Sequence, residues 1–204
     1  MLIRNQKIMK TINFIIISLI AVFLTSCKGD KKSIIGADTS DDSFVNKNFD
    51  GNLINYDENM SACSNFSAAD LAKHYDVPNG AIMIRDSTVD ERLEAYNPTC
   101  KFTVMLGEGK GYLLGSISVY SEAQKDEHWE ESWALRKAAS RSAEWIKGVG
   151  RAALWKPGNR KLTIKFEGYS LVISVPGINR DSNKKNVRYK KIALDMAKSA
   201  GYIK

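Results

Sequence analysis

The sequence predicts an α+β fold: a mostly antiparallel sheet of about five to six strands with two to three helices packed on one face. Three observations carry this. The turn Glu167-Gly168 joins two alternating apolar runs. A glycine-rich turn, Gly107 to Gly111, joins a second pair. Stretches with the 3.6-residue apolar period of a helix stand before, between and after these pairs.

Taken in order, the folded part opens on Phe66-Ser67-Ala68-Ala69-Asp70-Leu71. Ser67 is a natural N-cap, Asp70 stands at the capping-box position, and Phe66 and Leu71 form a hydrophobic staple. This helix runs to about Tyr75 and ends before Val77-Pro78-Asn79-Gly80. A short strand follows over Ala81 to Arg85, and the polar stretch from Asp86 to Pro98 reads as a loop or one short helix. Lys101 to Leu106 places Phe102, Val104 and Leu106 on one face, and Tyr112 to Tyr120 places Leu113, Ile117 and Val119 on one face.

A long helix is expected from about Glu122 to Lys147. Trp129, Trp133, Leu135, Arg136, Ala139, Ala143 and Ile146 share one side of it, and Gly148 stands at C′. Ala152 to Trp155 is a short strand. Leu162 to Phe166 and Tyr169 to Val175 form a hairpin whose two-residue turn fixes the register. It sets Phe166 opposite Tyr169, Ile164 opposite Leu171 and Leu162 opposite Ile173, all on one face, with Thr163, Lys165, Ser170 and Val172 on the other. A basic loop from Pro176 to about Asn186 leads to a last helix, Val187 to Ala200, with Ile192, Ala193, Met196 and Ala200 as its stripe.

Ahead of this domain stand two segments of different character. Residues 1–26 have a basic leader (Arg4, Lys7, Lys10), an apolar core from Ile12 to Leu24 and a small-residue zone before Cys27. That is the layout of a secretory signal, and an apolar core of about 13 residues is too short to span a bilayer. Residues 27–55 are polar, with Lys31, Lys32, Asp38, Asp41, Asp42, Lys47 and Asn48 among them, and read as a flexible tether. Residues 56–204 are then a single α+β domain. Leu24-Thr25-Ser26-Cys27 resembles the lipobox of bacterial lipoproteins. The charged run Lys28 to Lys32 loosely resembles the segment behind that cysteine in Bacteroidota, though here it is mostly basic. The resemblance implies acylation of Cys27 after removal of residues 1–26. It also implies a membrane partner held through that anchor and a place in the cell envelope, with the outer membrane expected.

Removing the leader takes three of the 30 basic residues and none of the 23 acidic ones, so the net charge falls from +7 to +4. This weak balance speaks against a nucleic-acid binder. With Cys27 acylated, Cys63 and Cys100 remain. An even pair in an oxidising compartment reads as a disulfide pinning the first helix to the sheet, the rival reading being two buried thiols. From Cys63 to Ala200, the cysteine-and-helix start, the turn Gly148-Val149-Gly150-Arg151-Ala152-Ala153-Leu154-Trp155 and the late hairpin before a helix resemble a family of bacterial lipoprotein domains of unknown function. That resemblance implies no catalytic residues.

No chemical motif stands out. Gly107 to Gly111 lacks the Ser or Thr and the helix of a phosphate loop, and Gly148-Val149-Gly150 lacks the third glycine of a dinucleotide fingerprint. Two histidines and no GxSxG argue against a serine triad. The absence of a CxxC pair argues against a zinc site, so no metal and no cofactor is implied. Asp126, His128, Glu130 and Glu131 could do acid–base or metal-dependent work, but acidic groups at a helix start more often serve the helix dipole. Trp129 and Trp145 are candidate ligand-binding aromatics, Trp145 because its helical phase leaves it off the apolar stripe. Arg180, Lys184 and Lys185, with Arg188, Lys190 and Lys191, are candidate contacts for anionic lipid or a glycan. The function expected is a non-catalytic module binding an envelope protein or glycan. The alternative is an envelope hydrolase or metal-dependent enzyme built on the acidic helix start around His128.

Overall fold

The structure, a computed structural model, describes residues 41–57, 59–87, 89–90, 95–107, 111–122, 128–177 and 182–204. Cys27 and the segment 1–26 lie outside them, as do Asp126 and Arg180. The elements are α1 Ala68–Tyr75, β1 Ile82–Asp86, β2 Val89–Asp90, β3 Ala95–Tyr96, β4 Thr99–Met105, β5 Tyr112–Ser121, α2 Trp129–Ala138, β6 Glu144–Ile146, β7 Ala152–Lys156, β8 Lys161–Lys165, β9 Tyr169–Ser174 and α3 Ser182–Ser199. Seven strands form one antiparallel sheet in the order β1-β4-β5-β9-β8-β7-β6, and β2 pairs with β3 apart from it. The α+β class and its antiparallel sheet are therefore as the sequence predicts, with more strands than the five or six expected and with α2 on the face opposite α1 and α3, where all helices are expected on one face.

The local signals at both ends of α1 hold. The Ser67 hydroxyl accepts the Asp70 N–H at 3.0 Å and bonds the Asp70 carboxylate at 2.6 Å. Asp76 ends the helix in the left-handed region at φ 56°. The β8–β9 register also holds, with Leu162 opposite Ile173 and Ile164 opposite Leu171. Phe102, Val104, Ile117, Trp155, Leu162, Ile164, Leu171 and Ile173 lie on one sheet face, buried under α1 and α3. Cys63, just ahead of α1, is disulfide-bonded to Cys100 on β4, with Cα atoms 4.8 Å apart.

Four further expectations are corrected. Of the helix expected from Glu122 to Lys147, residues 123–127 lie outside the described residues; within them the helix spans Trp129–Ala138, and Trp145 and Ile146 form an edge strand. Both are strand-forming residues, and pairing Trp145 with Leu154 and Ile146 with Ala153 wins over the helical period. Gly148 does have positive φ (74°), but in the β6–β7 turn and not at a helix C′. The stretch from Asp86 to Pro98 contains the β2–β3 pair where a loop or short helix is expected. The last helix starts at Ser182, ahead of Val187.

The fourth correction concerns the boundary at residue 56. Phe44 is 4 % exposed and stacks on Trp145 at 4.1 Å. Asn46 bonds the Arg151 carbonyl through its N–H and the Gly150 carbonyl through its amide, each at 2.8 Å. Asn52 exchanges two hydrogen bonds with the Glu167 backbone, and the Tyr169 hydroxyl bonds the Ile54 carbonyl at 2.6 Å. The chain from residue 41 to 57 is thus a strap fixed to the body. Its apolar residues are too few to show a period, yet Phe44, Val45, Phe49, Ile54 and Tyr56 all pack against the body, and of the strap's apolar residues Leu53 alone is exposed.

Candidate functional site

Side chains alternate across β7, so Ala153 and Trp155 join the main core while Ala152 and Leu154 face the opposite side. There they meet α2 and the strap. Trp129, Trp133, Ala134 and Phe44 form a second cluster with them, and Trp145 packs against it. This cluster covers only one end of the face. Over β1, β4 and β5 the same face is open, with Met83, Met105, Tyr112 and Leu114 between 41 % and 66 % exposed.

Where the covered half meets the open half lies a cavity of about 420 Å³, within the size range of small-ligand sites. The sheet register builds it residue by residue. Its floor is the cross-strand row Val172, Thr163, Leu154. Lys161 and Lys156, directly opposite each other on β8 and β7, form one side. Tyr120 and Ser170, paired on β5 and β9, form the other with Glu122. Trp133 and Arg136 reach in from α2.

The electrostatics of the cavity are uneven. Lys165 is 1 % exposed, and its ammonium is paired with Glu122, whose carboxylate also accepts from the Ser170 hydroxyl. The Arg136 guanidinium stands 4.0 Å from Glu122 and over the Trp133 ring at 5.5 Å. Glu122 is itself held by its N–H to the Gly168 carbonyl. Lys156 and Lys161 have no ion pair among the described residues. Two like charges directly opposite on paired strands repel. Burial pushes the Lys156 ammonium below its usual pKa, and the charges of Lys161 and Arg136 add to the shift. A cavity with surplus positive charge, hydroxyls (Thr163, Ser170, Tyr120) and an apolar floor is suited to hold an anion attached to a partly apolar body.

Of the residues singled out from sequence, Trp145 lies on β6, half-buried between Phe44 and Trp133 (6.4 Å), and not on a helix surface. Trp129 is 5 % exposed beneath the Arg151 guanidinium at 4.8 Å. Both tryptophans support the cavity wall from behind. Lys184 and Lys185 fall at the start of α3. In the same basic run Lys190 pairs with Glu144 and Lys191 with Asp195. His128 is the residue before α2, and Glu130 and Glu131 are exposed in its first turn. None of the three lines the cavity. Among the described residues no group of three potential metal ligands converges.

Sequence reasoning missed Lys156, Lys161, Arg136 and Tyr120. The signal for two of them was present. Lys156-Pro157-Gly158-Asn159-Arg160-Lys161 is a short connection between two strands, and pairing those strands puts the lysines opposite each other. Compared with protein-family models, curated proteins and solved structures, the chain matches none.

Proposed function

We propose that this protein is a cell-envelope lipoprotein held to a membrane, the outer membrane by expectation, through acyl chains on Cys27. Its domain is a non-catalytic binding module that takes an anionic ligand in the cavity between α2 and the β7–β8–β9 face. The anchor rests on the resemblance of Leu24 to Cys27 to a lipobox. The binding reading rests on one observation, the convergence of Lys156, Lys161 and Arg136 on a cavity where, among the described residues, Glu122 is the single acidic group, and Glu122 is engaged by Lys165. Among the described lining residues the Ser170 hydroxyl does donate to a carboxylate, Glu122, but the Lys165 ammonium neutralises that carboxylate and makes it a poor general base.

Two measurements test the two parts. Fatty-acid labelling should mark the wild type and not Cys27→Ser, and equal labelling of both removes the anchor. Full-length protein in detergent should bind galacturonate or glucose 1-phosphate and not galactose. Lys156→Gln with Lys161→Gln should weaken the binding at least tenfold. Lack of anion binding sinks the site. Conversion of a bound sugar to product, lost in Glu130→Gln, would favour an enzyme instead.

A further inference from the structure

The cavity lysines are the end of a longer row. Lys156 is opposite Lys161, Lys161 opposite Ser174, Ser174 opposite Ser116, Ser116 opposite Lys101, and Lys101 opposite Arg85. Paired residues point to the same side of a sheet, so these six side chains cross the open face in one line, from β7 to the edge strand β1. At about 4.8 Å per strand the row is about 24 Å long. Its cations come in two pairs, one at each end, with Lys161 and Lys101 about 14 Å apart at that spacing. Between them stand two hydroxyls. On one side of the row lie Thr99 and Ser118, and on the other Thr103 between the exposed Met83 and Leu114. The exposed rings of Tyr112 and Tyr120 stand further out, each about 13 Å along β5 from Ser116. No residue that these six strands turn to this face is acidic. None of the four cations has an ion pair among the described residues.

We propose that the open face is a docking track for a linear acidic polysaccharide, which places anionic groups at two stations, Lys156–Lys161 in the cavity and Lys101–Arg85 at the β1 edge. The proposal rests on the binding-module reading and extends it from a cavity to a chain. Charge complementarity selects a polyanion, and the spacing selects its kind. A nucleic-acid strand carries a charge about every 3.4 Å and calls for cations along the whole track. Here charge is sparse and the interval is lined with hydroxyls, which suits a chain of sugar hydroxyls with an acidic group only on some units. The apolar faces of sugar rings fit the exposed tyrosines. A flat bilayer cannot reach the first station, which lies inside a cavity.

The test uses full-length protein in detergent micelles with polygalacturonate, dextran sulfate, neutral dextran, a thymidine 30-mer and phosphatidylglycerol vesicles as probes. At least one acidic polysaccharide should bind and neutral dextran should not, the tighter of the two identifying carboxylate or sulfate as the preferred group. Arg85→Gln with Lys101→Gln should weaken the polymer about tenfold while leaving monomeric galacturonate or glucose 1-phosphate unchanged. Lys156→Gln with Lys161→Gln should weaken polymer and monomer alike. Polymer affinity unchanged by the Arg85 and Lys101 changes overturns the track and leaves the cavity standing. Indifference of both probes to the Lys156 and Lys161 changes brings down the cavity as well. Tighter binding of the oligonucleotide or the vesicles than of either polysaccharide overturns the choice of occupant.

Discussion

Glu122→Gln is the sharpest probe of how the cavity wall is held. Lys165 is the last residue of β8, its side chain 2 % exposed, and Glu122 is its counter-charge at 17 % exposure. Glutamine keeps the shape and one acceptor oxygen for Ser170 but removes the charge. Breaking a buried pair by neutralising one partner costs about 3–5 kcal/mol, because the other charge stays buried and uncompensated. Glu122 retains some solvent, and half-exposed Arg136 contributes little at 4.0 Å, so the lower end, about 3 kcal/mol, is expected. For a domain of this size that is a fall in Tm of about 6–12 °C. Lys165→Met in the same chain removes the stranded charge, and the double variant should recover to within about 1 kcal/mol of wild type. Urea titrations followed by circular dichroism on the four proteins give the cycle. A loss under about 1 kcal/mol for Glu122→Gln, or additive losses in the double variant, would refute a buried, mutually dependent pair.

Other outcomes follow from single features. Replacing Cys63 and Cys100 together by Ala frees a loop with a sequence separation of 37 and should cost about 4 kcal/mol in the chain-entropy account, read as a lower urea midpoint that wild type reproduces only under reductant. Phe44→Ala should cost about 3 kcal/mol and open residues 41–57 to protease, whereas a domain starting at residue 56 would show neither effect. A Cβ on Gly115 would sit 2.2 Å from the Phe102 ring, so Gly115→Ala should destabilise by about 1–3 kcal/mol through overpacking. For Lys156, whose folded pKa is lowered mainly by burial, the sign runs two ways. The charged form is disfavoured in the fold, so this penalty is present at neutral pH and is relieved as pH rises through the folded pKa towards the unfolded one. Anion binding needs the charged form, so affinity should fall over the same rise, below the pH at which an ordinary lysine titrates, and the fall should be absent in Lys156→Gln.

The elements whose signal is local were legible. Ser67 and Asp70 state a helix start within four residues, and Glu167-Gly168 states a register that every pair in β8–β9 obeys. What the sequence hid was decided by distant partners. The segment from Ala139 to Lys147 continues a helical period, and only β7 alongside it makes Trp145 and Ile146 a strand. Phe44 looks like a stray apolar residue in a polar stretch until Trp129 and Trp145 are brought around it. The far side of the β8–β9 hairpin reads as a solvent face because it carries Thr163, Lys165 and Ser170. It is buried: Glu122 pairs with Lys165 and accepts from Ser170, and Trp133 and Arg136 of α2 stand over the cavity that Thr163 lines. The candidate site was hidden for the same reason. Its residues come from β5, α2, β7, β8 and β9, and no stretch of sequence holds more than a few of them. Lysines within a strand look like solubilising charge until the register shows that they face each other.

The strap also has a mechanical consequence. A pull on the chain ahead of Asp41 enters the fold at Phe44 and at the Asn46 bonds to Gly150 and Arg151, well before it reaches the disulfide at Cys63. Peeling residues 41–57 from the body would release about 60 Å of chain. It would also strip Phe44 from Trp145, which backs Trp133 in the cavity wall. With the proposed anchor at Cys27, tension on the chain ahead of Asp41 and the shape of the cavity would act on the same row of rings.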